Sequence, residues 1–297
     1  MVWHSYQLTY HLLTPLHIGY RRLGNIQRTR YYLPGRNLWG AITARLARAC
    51  YAQPGPTDYL AVGDYVRDHV VASYFYPKLA DGEPYYPRLE QGRWHYGDLS
   101  AADFEARFIN SFGSTALTAS TWTAEEASLH EVEFIAPRAQ TGQPPARPVY
   151  LQGYLYLDQD RSTTPPPLQG LDDTTILGHL TDLFVGGEQG YGFGRMIWHS
   201  EPSDPEVTTG PQPQPRDLDG NVLRSHLRAQ QASRVTVQGP LEPLVGREWA
   251  NGHRGGTRRG AGQDVSEAVV AWAPGGTIEG DIASLVVAAY GIWQEAP

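Results

Sequence analysis

Two stretches of the chain carry residue types suited to holding a polyanion. The first, Phe184 to Arg195, reads FVGGEQGYGFGR: Gly186, Gly187, Gly190, Gly192 and Gly194 surround Tyr191 and Phe193, and Arg195 closes the run. Successive backbone N–H groups without side chains can approach a phosphate chain closely, and the arginine supplies charge. Other chemistry is open to the same residues. Gly190-Tyr191-Gly192-Phe193 matches the heart of an RNA-recognition strand, although the match fails at Gln189, Gly194 and Met196. The glycines could equally serve a tight helix-to-strand connection that needs positive φ. A Walker loop is excluded because no Gly-Lys-Ser/Thr follows, and a dinucleotide fingerprint because the spacing is G-x-G-x-G. These residues alone leave an anion site, a stacking strand and a turn in competition.

The second stretch is Gly19 to Arg36, where Arg21, Arg22, Arg28 and Arg30 are interleaved with Tyr20, Tyr31 and Tyr32. Arginine among aromatics suits a single-stranded nucleic acid, pairing phosphates and stacking bases together; the competing reading is a solvated loop. A further basic, glycine-rich run, Arg247 to Gln263, contains Arg254, Arg258 and Arg259. Enzyme signatures are thin. The chain has no H-E-x-x-H, no G-x-S-x-G and a single cysteine, Cys50, so neither a thiolate zinc cluster nor a disulfide framework can form. His11 and His17, six residues apart on an extended strand, lie roughly 20 Å from each other, too far for one metal. No catalytic residue, metal site or cofactor is expected.

Net charge is −7 over 297 residues, which argues against nucleic acid until its distribution is considered. Residues 1–50 hold seven arginines and no acid, while the rest holds 17 basic and 31 acidic side chains. Such asymmetry suggests one face for a polyanion and an acidic remainder for other partners. Only Lys78 stands against 23 arginines, a bias that suits planar phosphate recognition and equally a GC-rich genome. MVWHSYQ lacks a signal-peptide pattern and the apolar run Ile282 to Trp293 is too short to span a bilayer, so a cytoplasmic setting is expected.

Positioning elements can be read from periodicity. Tyr6, Leu8, Tyr10, Leu12, Leu16 and Ile18 alternate with polar residues and predict a half-buried strand. Pro34-Gly35 opens a helix to about Tyr51, with Leu38, Ile42, Leu46 and Cys50 on one face. A helix at Ala101 to Ile109, strands at Val132 to Ile135 and Val149 to Leu157, a helix at Asp173 to Val185 and a strand at Met196 to His199 follow; residues 52–128 are otherwise hard to read. Thr141 to Pro148, Thr163 to Pro167 and Pro202 to Pro215 read as loops. The expected organisation is a core over residues 1–201 with its glycine-rich loop at 186–194, a Pro-rich linker at 202–215, and a C-terminal module at 216–297. That module has strand-like runs at Arg234 to Val237 and Val269 to Trp272. PGRNLWG at Pro34 to Gly40 is echoed by PGGTIEG at Pro274 to Gly280, suggesting a second, partial βα unit. The class is α+β, most economically ferredoxin-like (RRM-like) βαββαβ.

Leu13-Thr14-Pro15-Leu16-His17-Ile18-Gly19, Tyr32-Leu33-Pro34-Gly35-Arg36-Asn37-Leu38-Trp39-Gly40-Ala41 and Gly186 to Arg195 occur in this order. Together they resemble the RAMP superfamily of CRISPR-associated proteins, in which a "TPLHIG" strand end, a "PGxxLxGA" helix start and a "GGxxxxGxGR" loop occur in the same order. The resemblance implies a ferredoxin-like core and membership of a multi-subunit, RNA-guided type III effector complex engaged in antiviral defence. It implies a grip on the guide RNA by Gly186, Gly187, Gly190, Gly192, Gly194 and Arg195, with Arg21, Arg22, Arg28, Arg30 and Arg36. Arg254, Arg258 and Arg259 would contact guide RNA, target RNA or a neighbouring subunit. Backbone subunits that cut target RNA usually carry an aspartate before the "PG" helix, where this chain has Gly24-Asn25-Ile26; asparagine lacks the charge a divalent metal needs. The implied role is a non-catalytic subunit capping the guide's 5′ handle, or a terminal backbone subunit. A metal-independent endoribonuclease recruiting His17 or His4 as general acid/base, and a cytoplasmic protein–protein scaffold, are the alternatives.

Overall fold

The computed structural model describes residues 1–296 except 141, 143, 144, 161, 163, 203, 219, 232 and 251–259. Its centre is β1 (Val2–Leu12). Period two sends Tyr6, Leu8, Tyr10 and Leu12 to one face, where they are buried, and Trp3 and Ser5 to the other, where they are buried as well. On one side β1 pairs antiparallel with Tyr150–Asp158 over nearly its whole length. On the other side it pairs with Arg195–Trp198 near its end and Glu206–Thr209 near its start. The seven-stranded sheet runs Asp182–Phe184, Arg195–Trp198, β1, Tyr150–Asp158, Val70–Ala72, with Glu206–Thr209 and Tyr76–Lys78 adding to β1 and Tyr150–Asp158.

The basic stretch after β1 is a β-hairpin, β2 (Gly19–Leu23) and β3 (Ile26–Thr29), turned by Gly24 at φ 61°. It forms the edge of a second sheet, β2, β3, His130–Ile135, Ile109–Ser114. Then α1 (Gly35–Cys50) and α2 (Pro56–His69) follow. Leu38, Ile42 and Leu46 of α1 recur every fourth residue and join the same buried core as Leu8 and Leu155. Truncating Leu46, which is fully buried, to alanine would cost about 2–5 kcal/mol. Sequence reading missed α2; its start is marked by Pro56 and by Asp58, whose carboxylate accepts the Gly55 N–H at 2.8 Å.

A second core fills the opposite face of the main sheet. Trp3, Val71 and Tyr156 from that sheet pack with Leu223, Leu227, Ile278, Leu285 and Trp293. The C-terminal residues thereby close the back of β1, through a five-stranded sheet ordered Leu241–Leu244, Val269–Trp272, Leu227–Arg228, Trp293–Glu295, Leu285–Val287.

Several expectations are corrected. The helix expected to reach Val185 spans Asp173–His179, and Asp182–Phe184 is a strand, because Leu183 pairs with Met196 and Leu183 and Val185 turn into the core on either side of exposed Phe184. FVGGEQGYGFGR is therefore a hairpin loop and not a helix-to-strand connection. The stretch at 202–215 includes Glu206–Thr209, which pairs with Val2 to Ser5. PGGTIEG leads into a strand, Thr277–Gly280, held by antiparallel pairing with Val235–Gln238, where PGRNLWG leads into a helix; the echo marks no second βα unit.

Candidate nucleic-acid interface

The five glycines of the hairpin loop divide by what surrounds them. Gly194 donates its N–H to Pro15 O at 2.7 Å, and Gly187 donates to His17 O at 2.8 Å, so the loop is tied to the strand-exit segment that precedes β2. At Gly194, φ 83°, a Cβ would lie 1.9 Å from Val185 O; at Gly186, φ 78°, it would lie 2.4 Å from His17 O. Only glycine permits these approaches. Around Gly190 and Gly192, by contrast, a Cβ would meet nothing within 4 Å. Tyr191 is 76% exposed and does not lie beneath the loop; only Phe193 does, edge-on to Phe134 with centroids 5.4 Å apart. A turn and an open backbone surface thus coexist in one loop.

The arginines divide as sharply. Arg21 and Arg22 are exposed on β2. Arg28 is engaged internally: its Nε lies 2.9 Å from Glu133 Oε1 and its Nη2 donates to Tyr31 OH at 2.8 Å. Arg30 is held more tightly, donating to both oxygens of Glu242 at 3.0 Å and to Tyr32 OH at 2.9 Å. Burial disfavours the Arg30 charge, but Tyr32 and Glu242 outweigh it and raise its pKa. Burial likewise pushes the Glu242 carboxyl up, yet hydrogen bonds from His226 and Arg30 prevail and hold it at about 2. His226, whose pKa is lowered chiefly by burial, is read as neutral: Tyr74 OH donates to Nδ1 at 2.6 Å and Nε2 donates to Glu242 at 2.5 Å. The acids that pair with Arg28 and Arg30 arrive from positions 133 and 242, far beyond the acid-free first fifty residues. Arg195 pairs with Asp182 at 2.9 Å and stays exposed. Arg36 lies over the Tyr290 ring at 4.3 Å and fills the space a Cβ on Gly246 would need. Arg254, Arg258 and Arg259 lie outside the described residues.

What these pieces form together is an open groove of about 860 Å³. Gly186 and Gly187, residues of α1 from Arg36 to Arg48, and Val245 to Arg247 all line it. Arg36, Arg45, Arg48 and Arg247 line it, against Asp182 and Glu188; Asp182 is already paired with Arg195. Arg45, Arg48 and Arg247 were not nominated from sequence. Arg45 and Arg48 were visible in the seven-arginine run, and their i, i+3 spacing places them on one helix face with Ala41 and Ala44. Arg45 also donates to His179 O at 2.9 Å, at the end of the Asp173–His179 helix.

His4 and His17 have separate partners. His4 Nδ1 contacts Asp173 at 2.7 Å, whereas His17, 4% exposed, donates from Nδ1 to Glu133 O at 2.7 Å beneath Gly187. Burial, then His199 and Arg138, lower the pKa of His11. Asn25 is exposed at the hairpin tip, its backbone carbonyl accepting from Glu131 N at 2.9 Å. Among the described residues no three His, Cys, Asp or Glu side chains are grouped to hold a metal, and no helix is long and apolar enough to cross a membrane.

The α+β fold, with its main sheet packed on both faces, is one that known structures share. No family model and no curated protein matches the chain. Among solved structures, a chain of Type III-B Cmr-beta bound to cognate target RNA and AMPPnP superposes with a TM-score of 0.54 at 13% identity, covering 92% of this chain and 85% of that one. A chain of Type III-B Cmr-beta bound to cognate target RNA gives 0.47 at 12% identity, covering 92% and 86%. The fold is thus that of a chain from a type III-B complex, in agreement with the resemblance carried by the three motifs.

Proposed function

We propose that this chain is a non-catalytic RNA-binding subunit of a type III CRISPR effector complex, holding a single-stranded guide RNA in the groove between the glycine hairpin and α1. The groove carries the reading: Arg36, Arg45, Arg48 and Arg247 line it together with Gly186 and Gly187 of the glycine hairpin. Such a surface tracks phosphates without reading sequence. The fold likeness to a chain of an RNA-bound Cmr-beta complex supports the same assignment. So does the strand order Arg195–Trp198, β1, Tyr150–Asp158, Val70–Ala72, in which each neighbouring pair is antiparallel. With α1 and α2 crossing from the first strand and Asp173–His179 from the third, this supports a ferredoxin-like βαββαβ unit. Within such a complex we assign the chain to the guide's 5′ handle, in contact with neighbouring subunits and, through them, with target RNA.

The test is binding of single-stranded RNA by the full-length protein across salt concentrations. The affinity is expected to fall linearly on a log–log plot with a slope of about −0.7 for each phosphate neutralised. A salt-independent affinity, or none, would remove the reading.

A further inference from the structure

Tyr20, Tyr31 and Tyr32 all lie among the arginines, but the fold treats them differently. Tyr31 and Tyr32 are each 8% exposed, and their hydroxyls are used, one donating to Glu105 and the other accepting from Arg30. Tyr20 is 48% exposed and sits on β2, the edge strand of its sheet. It lines three separate cavities: one shared with α1 and His226, one with Trp94 and Tyr96, and a shallow one with Arg21, Arg22 and Arg28. An aromatic ring at the meeting point of three concavities on a basic hairpin is placed to be touched by a ligand.

Its placement is also fixed from behind. The Arg30 guanidinium lies 4.5 Å from the Tyr20 ring centroid, within cation–π range. Arg30 is itself gripped at both ends of its fork by Glu242, 3.0 Å on each side. Glu242 accepts from His226 Nε2, and His226 Nδ1 accepts from Tyr74 OH. His226 is 0% and Tyr74 2% exposed, so the chain of contacts is anchored in packed interior. Arg21 adds a second guanidinium 5.5 Å from the ring and stays exposed, able to meet a phosphate while the ring meets a base.

We infer that Tyr20 is a nucleobase-stacking platform, and that Glu242 and His226, from the C-terminal sheet, are positioning residues that hold Arg30 under it. This rests on the RNA-binding reading above and extends it, because it gives the C-terminal third a part in presenting the basic hairpin. A base stacked on tyrosine is sequence-tolerant, since every base has a π face. The platform is therefore expected to add affinity without a preferred base and without a salt-dependent contribution of its own.

The experiment measures affinity of the full-length protein for a mixed-sequence single-stranded RNA at several salt concentrations. Tyr20→Ala is expected to weaken binding about tenfold with the salt slope unchanged, as expected for one lost stacking contact and no lost phosphate contact. Tyr20→Trp is expected to bind as the parent does. Glu242→Gln is expected to weaken binding comparably, and adding Tyr20→Ala to it to cost little more, because both changes remove the same ordered ring. Wild-type affinity in Tyr20→Ala, with weakened binding in Arg45→Ala/Arg48→Ala, would overturn the platform and leave the groove standing. Wild-type affinity in both would overturn the groove as well. Tyr20 is a surface position, so its variant decides the matter even where Glu242→Gln does not fold.

Discussion

Arg30 and Glu242 stand 212 residues apart in the chain and meet as a two-pronged ion pair, with both N···O separations at 3.0 Å. Each side chain is only 15% exposed. The pair bolts the C-terminal sheet to the basic hairpin, and removing one member leaves the other charged and poorly solvated.

Glu242→Gln is therefore expected to lower unfolding free energy by about 3 kcal/mol, near the lower end of the range for breaking a buried pair, measured by urea denaturation at pH 7. The pH dependence has a definite sign. The folded carboxyl titrates at about 2 against an ordinary 4.5, so its contribution is present above about pH 4.5 and is lost as pH falls towards 2. The variant should show less acid sensitivity than the parent across that window.

The glycine hairpin makes a contrast within one loop. Gly194→Ala forces a Cβ against Val185 O at φ 83°, while Gly190→Ala meets open space at ordinary φ. Backbone strain alone should cost Gly194→Ala about 1–3 kcal/mol, and the clash more. Gly190→Ala should stay within about 0.5 kcal/mol of the parent. Thermal unfolding of the two variants side by side checks this, and equal losses would show that the loop does not discriminate as its geometry requires.

Much of this arrangement was legible in residues 1–50 and 184–195 and little of it elsewhere. Period two in β1 and the four-residue recurrence of Leu38, Ile42 and Leu46 are local signals, and both elements form, although the strand ends at Leu12 and does not run on to Ile18. The Asp173–Val185 stretch departs from a full helix because Leu183 fits a helical stripe with Leu180 and a strand face with Val185 equally well; pairing of Leu183 with Met196 decides it. The internal pairing of Arg28 and Arg30 was hidden for a different reason. Local charge counting sees no acid near them, and only the fold brings up Glu133 and Glu242. The groove residues Arg45, Arg48 and Arg247 become a group through tertiary packing of α1 against Val245 to Arg247, which no window of sequence contains.

Asp217 offers a second titration of opposite sign. It is 6% exposed, its Oδ1 has no hydrogen-bond partner among the described residues, and burial pushes its carboxyl up to about 7, against a backbone hydrogen bond and Arg224. A raised folded value means the native state holds a proton that the unfolded chain releases above about pH 3.8. Stability from this group is fully present below that value and is lost as pH rises through 7. Asp217→Asn should therefore flatten the decline between those limits and be more stable than the parent at pH 8, measured by urea midpoint. A parent midpoint that rises over the same interval, with Asp217→Asn unchanged from it, would remove Asp217 as its source.

The groove itself makes the most direct prediction about binding. Arg45 and Arg48 sit on the exposed face of α1 and line the groove that Gly186 and Gly187 also line. If each neutralises one phosphate of a single strand, Arg45→Ala/Arg48→Ala should shallow the log–log salt slope by about 1.4. Affinity should fall most at low salt and converge with the parent as salt rises, because counterion release drives the difference. Arg28→Ala provides the control: its guanidinium is committed to Glu133 and Tyr31, so its loss should appear in stability while the slope is unaltered. A slope change in Arg28→Ala equal to that of the α1 double variant would move the RNA path from the groove to the hairpin.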